Sequence, residues 1–325
     1  MLGVLLTLVS ATTFGINNVM VRRGVITGTA TQALVMSMPI GLASFALMAL
    51  LFGQWAELAH FSSFNLLMLA CAGISHFICG RYCAYRALAA MGANLAMPVT
   101  QWSLMVSLVL AIVFLDEKLD LLKLIGIGLM ILGPTVVMAR QRRQRRSAAP
   151  STASTFQPRL VEGYTFGILA CFGWGSSPAF VRAGLEGAGQ ALAGGMVSYA
   201  AATAVIGLLM FVPTARHNVM RMTRAEVRWF AGTSVMTSVS QILMYLAMAI
   251  APVIVVQPLM RFQLIAGAIA GWFMTREHET FDPGVIGALV ISMLGAMFLA
   301  LDAPTVASWL GGPAWIAAAF AWSWP

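Results

Sequence analysis

A chain of 325 residues with 9% charged and 60% apolar residues is not a soluble domain. Ordinary soluble domains carry about 25% charged residues, and no soluble fold of this length has interior enough to hide so much apolar surface. The net charge of +8 does not mark a nucleic-acid binder, because the arginines fall in short runs between apolar stretches, as in loops against an anionic membrane face, and no basic face carries interleaved stacking aromatics.

Ten apolar stretches near the ~20 residues that cross a bilayer as a helix lie in chain order at 2–21, 33–52, 64–84, 94–114, 121–138, 164–181, 191–212, 229–250, 253–274 and 285–301. Helix is the state expected, since a spanning segment must satisfy its backbone internally and the alternation of barrel strands is missing. The first stretch lacks a basic leader region and carries Asn17–Asn18, so it reads as a retained span. After the fifth comes RQRRQRRSAAPSTASTFQP (140–158), basic and rich in Ser, Thr and Pro, which reads as a solvated linker over 140–160. After the tenth, residues 303–325 carry Trp309, Trp315, Trp322 and Trp324 around Gly311–Gly312–Pro313, a tail suited to the membrane interface.

The linker divides a repeat. Gly3, Gly15, Val21, Arg22 and Gly24 recur at a shift of 160 as Gly163, Gly175, Val181, Arg182 and Gly184. Tyr85, Ala87, Ala89, Pro98 and Glu117 recur at the same shift as Tyr245, Ala247, Ala249, Pro258 and Glu277. Each unit, 1–139 and 161–302, holds five stretches. Five is odd, so the second unit enters the membrane upside down relative to the first. The expected fold is therefore an all-α integral membrane protein of ten transmembrane helices, built as two inverted five-helix repeats, with a solute site between them near the midplane.

The segments GRYCAYRALAAMGANLAMPV (80–99) and VFLDEKL (113–119), with YLAMAIAPVIVVQPL (245–259) and REHE (276–279), resemble the EamA-like family of the drug/metabolite transporter superfamily. The resemblance covers nearly the whole chain up to about Asp302. It implies ten helices around a central cavity and export of amino acids or other metabolites. The Trp-rich tail departs from the short charged terminus usual in that family.

Polar groups inside spans are costly and point to function. Arg81 and Tyr85 are four apart, as are their counterparts Gln241 and Tyr245. Gln257 and Arg261 form another such pair, and the counterpart of Arg261 is Gln101. Two faces, each with one Arg and one Gln in swapped places, would line a cavity between inverted repeats. Asn17 and Asn18, with Ser176 and Ser177 across the repeat, complete the expected solute-binding set. The ordinary alternatives are snorkelling for Arg81, carbonyls freed by a bend at Pro258 for Arg261, and interhelical bonding for the others. Glu117 and Glu277, in equivalent connections, are candidate gates or else helix caps. Cys71, Cys79, Cys83 and Cys171 show no metal spacing and read as buried apolar side chains.

No HExxH, GxSxG or intramembrane carboxylate pair is present, so no enzyme, cofactor or metal site is expected. The expected function is a secondary transporter that exports a small metabolite, an amino acid or other organic anion or zwitterion, by alternating access; a flippase for a lipid-linked sugar or phosphate is the alternative. The expected partners are the solute and the lipid bilayer, with a homodimer left open and no nucleic acid. The expected location is a bacterial inner membrane, multi-pass. With all eleven carboxylates at span ends or in connections, His76 is the one conventional proton carrier inside a span, which favours uniport or exchange over obligatory proton antiport. The arginine-rich connections put both termini outside by the positive-inside rule, whereas the resemblance implies both inside.

Overall fold

The computed structural model describes residues 1–24, 29–91, 99–100, 102–147, 159–186 and 190–274, together with 287, 290–291, 294–295, 297–299, 323 and 324. Helices dominate. The first half of the chain holds α1 (Leu2–Gly24), α2 (Ala30–Leu51), α3 (Ser63–Gly73), α4 (Cys83–Met91), α5 (Ser103–Leu115) and α6 (Leu121–Ser147). The second holds α7 (Leu160–Leu185), α8 (Ala191–Leu209), α9 (Pro213–Met220), α10 (Arg224–Ile250), α11 (Val253–Leu259) and α12 (Phe262–Met274). Among the described residues, five stretches are long and apolar enough to cross a membrane: Leu2–Met20, Thr31–Leu51, Ser63–Ala87, Ala191–Leu209 and Arg224–Ile250. Shorter apolar helices at Ser103–Leu115, Leu121–Leu132 and Val253–Gly267 accompany them.

Local chemistry sets several starts. Thr29 with Gln32, Ser62 with Asn65, and Thr223 with Glu226 form reciprocal capping boxes at the heads of α2, α3 and α10. Each satisfies two amides that an apolar helix leaves open at its first turn.

Three elements depart from the expected stretches. Between α3 and α4 the rod is wound as a π-helix over Ile74–Tyr82, one continuous piece with both neighbours. The ninth stretch breaks into α11 and α12. Pro258 has no amide hydrogen for the ladder, and the chain turns through Met260 and Arg261 with the Arg261 amide on Pro258 O at 2.9 Å. The helix after Asp120 runs to Ser147, so the basic run from Arg140 to Arg146 continues α6, where a linker from 140 was expected. At the tail, Ser323–Trp324 pair antiparallel with Leu119–Asp120 as a two-residue ladder.

The packing has a reciprocal pattern. Helix α1 lies along α10 and α12, while α7 lies along α3, the π segment, α4 and α5. Helix α2 faces α8, and both touch α10. Close approaches repeat with the same shift as the sequence. A Cβ at Gly3 would lie 2.7 Å from Ala251 Cβ, and one at Gly163 would lie 2.7 Å from Met91 Cβ. A Cβ at Gly15 would meet Gln263 O at 2.5 Å, and one at Gly175 would meet Ser103 O at 2.8 Å. Ala251 and Gln263 are 160 residues after Met91 and Ser103. The largest apolar cluster sits where α2, the π segment, α8 and α10 converge, around Phe45, Leu69, Phe77, Tyr199, Tyr245 and Met248.

Candidate functional site

A polar cluster in this interior is built on the π segment. Wider winding is rare and recurs at functional positions. Here it carries His76, Phe77, Gly80 and Arg81. Arg81 is buried, with Nη1 donating to Ser37 Oγ at 3.3 Å and its guanidinium carbon 5.1 Å from the centre of the Phe77 ring. A cation over an aromatic face is held by the ring quadrupole. The Phe77 ring also meets the Tyr199 ring at 4.4 Å, and Tyr199 meets Phe45 at 5.1 Å. His76 stands edge-on to Phe77, and its Nε2 lies 3.4 Å from the Gln241 amide nitrogen. Four buried polar atoms around this cluster lack a hydrogen-bond partner among the described residues: Arg81 Nη2, His76 Nδ1, Tyr199 Oη and Gln241 Oε1. Each such atom costs about 1–3 kcal/mol in a dry interior. Several together, with both donors and acceptors, make this cluster the candidate site.

Helix α7 backs this cluster. A Cβ on Gly173 would lie 2.5 Å from the Gly80 backbone nitrogen, so the two chains touch without side chains between them. Ser75 Oγ donates to Gly173 O at 2.9 Å and lies 2.7 Å from Ser176 Oγ, and Ser177 Oγ donates to Ala72 O at 3.2 Å. Ser176 and Ser177 therefore join α7 to the rod that bears Arg81. Asn17 makes a comparable junction, its Nδ2 donating to Thr237 Oγ1 at 2.9 Å; the adjacent Asn18 is exposed.

The remaining expected residues are dispersed. Tyr245 is buried edge-on to Phe45 at 5.4 Å, and Tyr85 is half-buried on α4. Gln257 is buried on α11. Arg261 occupies the turn between α11 and α12, and its Nη2 donates to Ser103 Oγ at 3.0 Å. Gln101 and Glu277 lie outside the described residues. Three contributors escaped sequence reasoning as site residues: Ser37, Phe77 and Tyr199. Tyr199 left a signal, a phenol hydroxyl inside an apolar span. The π segment brings its ring and the guanidinium together at Phe77. One expectation is corrected: Cys79 is exposed and Cys71 half-buried, because the wider winding turns Cys79 outward; only Cys83 and Cys171 are buried. Among the described residues no cluster of His, Cys, Asp or Glu could hold a metal ion.

Glu117 has a defined task. Asp116 ends α5 in a left-handed turn (φ 50°), a conformation that Asp tolerates better than most residues. The chain then sends Glu117 across to the second unit, where the Val253 and Ile254 amides donate to its two oxygens at 2.7 Å each. It caps α11, a helix of the other unit, and not the helix that follows it. Burial pushes its carboxyl above the usual carboxylate range and outweighs the two amide donors, which pull it down. Glu117→Ala should lower stability by about 1–2 kcal/mol through loss of the cap. The raised value means that the folded state favours the neutral acid. That contribution is full below the ordinary carboxylate pKa and is lost as pH rises through the raised value. Unfolding midpoints of purified protein from acid to neutral pH should therefore fall for the wild type, and Glu117→Gln should flatten this slope.

The apolar helices make this a helical membrane protein. Residues 1–139 match the model of the EamA-like transporter family. No curated protein matches the sequence. A solved crystal structure, described only as that of a protein, is similar over 91% of this chain and 96% of its own, with a TM-score of 0.68 and 13% identity. That likeness concerns the fold.

Proposed function

We propose that the chain is a secondary transporter of a small organic anion or zwitterion, an exporter working by alternating access, with the solute held at the Arg81–His76–Tyr199–Gln241 cluster. The unpartnered buried atoms of that cluster carry the reading, since donors and acceptors left open inside a membrane protein are what a polar solute would satisfy. An anionic group follows from chemistry. Arg81 makes no ion pair among the described residues, and a buried cation without a counter-charge is costly. A carboxylate or phosphate on the solute would supply the charge. We read the second unit as an EamA-like repeat inverted against the first, with ten helices in all. The matched close approaches and the reciprocal packing of α1 and α7 support this, as does the family match over the first unit. The break at Arg261, in the manner of discontinuous transporter helices, and the Glu117 clamp between units fit a second polar station and a gate.

The test has two stages. Purified protein is screened by thermal shift against carboxylates, amino acids and phosphate esters. Solute at a hundred times its Kd should stabilise the fold by about 2.7 kcal/mol, and anions should dominate the hits. Screening that yields only cations or only neutral solutes would overturn the anionic reading. The best hit is then loaded into liposomes with a pH-sensitive dye. We expect flux that follows the solute gradient and is unchanged by an imposed pH gradient, because no carboxylate among the described residues lies within the central part of a span. Stoichiometric proton movement that vanishes in His76→Gln would replace uniport or exchange with proton coupling.

A further inference from the structure

A second site lies at one end of the molecule, away from the polar cluster. Helix α8 ends in tight turns, with Phe211 bonded to Leu208 O and Val212 to Leu209 O at 3.1 Å each. Pro213 then starts α9, which runs eight residues with none buried. Gln32 at the head of α2 fixes α9 in place by donating to Asn218 O at 2.8 Å. Between the end of α8 and α9 is an open groove of about 630 Å³. Its lining is largely apolar, from Met210, Phe211 and Met220, and includes Gly207, where a Cβ would meet nothing within 4 Å. Arg216 and His217 stand on its rim.

Two features identify the occupant. The apolar walls are left bare: Phe211 is 83% and Met220 73% exposed, which suits a helix lying in the interfacial zone of a bilayer. The charge around the groove is one-sided. Arg216, Arg221, Arg224 and Arg228 are exposed, and the single acid in that stretch, Glu226, is buried and accepts the Thr223 amide at 2.7 Å. An apolar trough with a cationic rim at a membrane surface is complementary to one kind of molecule, a phospholipid with an anionic headgroup. We propose that this groove is an anionic-phospholipid site, with an acyl chain laid over Gly207 between Phe211 and Met220 and the phosphate at Arg216 and His217. The site does not depend on the transport reading.

The test is native mass spectrometry of protein released from nanodiscs made of equal parts phosphatidylcholine and phosphatidylglycerol. Wild-type protein should retain phosphatidylglycerol preferentially. Arg216→Gln should lower that preference roughly five-fold, as expected for about 1 kcal/mol per arginine at an anionic surface. Gly207→Leu should abolish retention by filling the trough, and Phe211→Ser, at an exposed site remote from the core, should do the same if the leucine variant does not fold. Equal retention of the two lipids by the wild type would overturn the proposal. So would a Gly207→Leu variant that keeps phosphatidylglycerol, which would reduce the effect to surface charge. Displacement of the lipid by glycerol phosphate alone would reassign the site to a free phosphate ester.

Discussion

Arg81→Gln should reduce transport of the anion found by thermal-shift screening by about 30-fold or more while the protein still folds, since removing one partner of a buried charged contact costs about 2–5 kcal/mol. Folding should not suffer, and this sign separates a solute-binding arginine from a structural one. In the empty protein the guanidinium has one long bond to Ser37, a ring to lie on, and Nη2 without a partner among the described residues. Taking that cation out of water is a net expense that Gln removes. The unfolding midpoint without solute should therefore hold or rise, and the shift produced by solute should disappear. Arg81→Lys should recover only part of the activity, because an ammonium has no planar fork to address two oxygens. Transport by Arg81→Gln within a few-fold of wild type would move the solute site away from Arg81. A collapse in the midpoint would make the residue structural.

Gly73→Ala should be among the most destabilising single changes in the chain. Gly73 closes α3 against α8, and a Cβ there would lie 2.0 Å from Ser198 O and 2.6 Å from its carbonyl carbon. Both are backbone atoms, so no rotamer relieves the clash, and the helices must separate. Ser198 Oγ donates to Leu69 O at 2.7 Å, one turn earlier on the same pair of helices, and would lose its geometry as they part. Overpacking of this kind costs about 1–3 kcal/mol, with the hydrogen bond in addition. The change also reaches function, because α8 carries Tyr199 and the rod continuing from Gly73 carries His76 and Arg81. Gly128→Ala on α6, where a Cβ meets nothing within 4 Å, is the matched control and should be neutral or gain up to about 1 kcal/mol. Thermal unfolding of the purified variants decides it: equal midpoints for the two would refute the close approach.

Much of the helical order was legible because the bilayer imposes it. Apolar runs near twenty residues can only be helices in lipid, and the expected stretches at 2–21, 33–52, 191–212 and 229–250 correspond to α1, α2, α8 and α10 with ends displaced by a few residues. The repeat was legible for a related reason. Glycines at helix crossings tolerate no replacement, so Gly3 and Gly15 reappear as Gly163 and Gly175. Polar residues in spans stood out against an apolar background, which made Arg81 and Gln241 visible as candidates.

Most of their partners were not legible, because they are set by contact between segments far apart in the chain. Period counting placed Arg81 and Tyr85 on one α-helical face; the π winding of Ile74–Tyr82 instead set Arg81 beside Phe77 and Ser37 and left Tyr85 half-buried. Glu117 reads from its neighbours as a cap for the helix that follows it. Only the meeting of the two units shows that it caps α11. Ser176 and Ser177 reach Ser75 and Ala72 across about a hundred residues, a pairing that no local pattern encodes. The groove at α9 rests on the same division. Hydropathy carried the seventh stretch on to Val212, but helical backbone stops at Leu209, where Pro213 lies ahead and Gln32 of α2 holds the next turn at an angle. Solvation by lipid dictates which segments are helices. Which polar groups meet depends on backbone winding and interhelical distance, and these are properties of the packed whole.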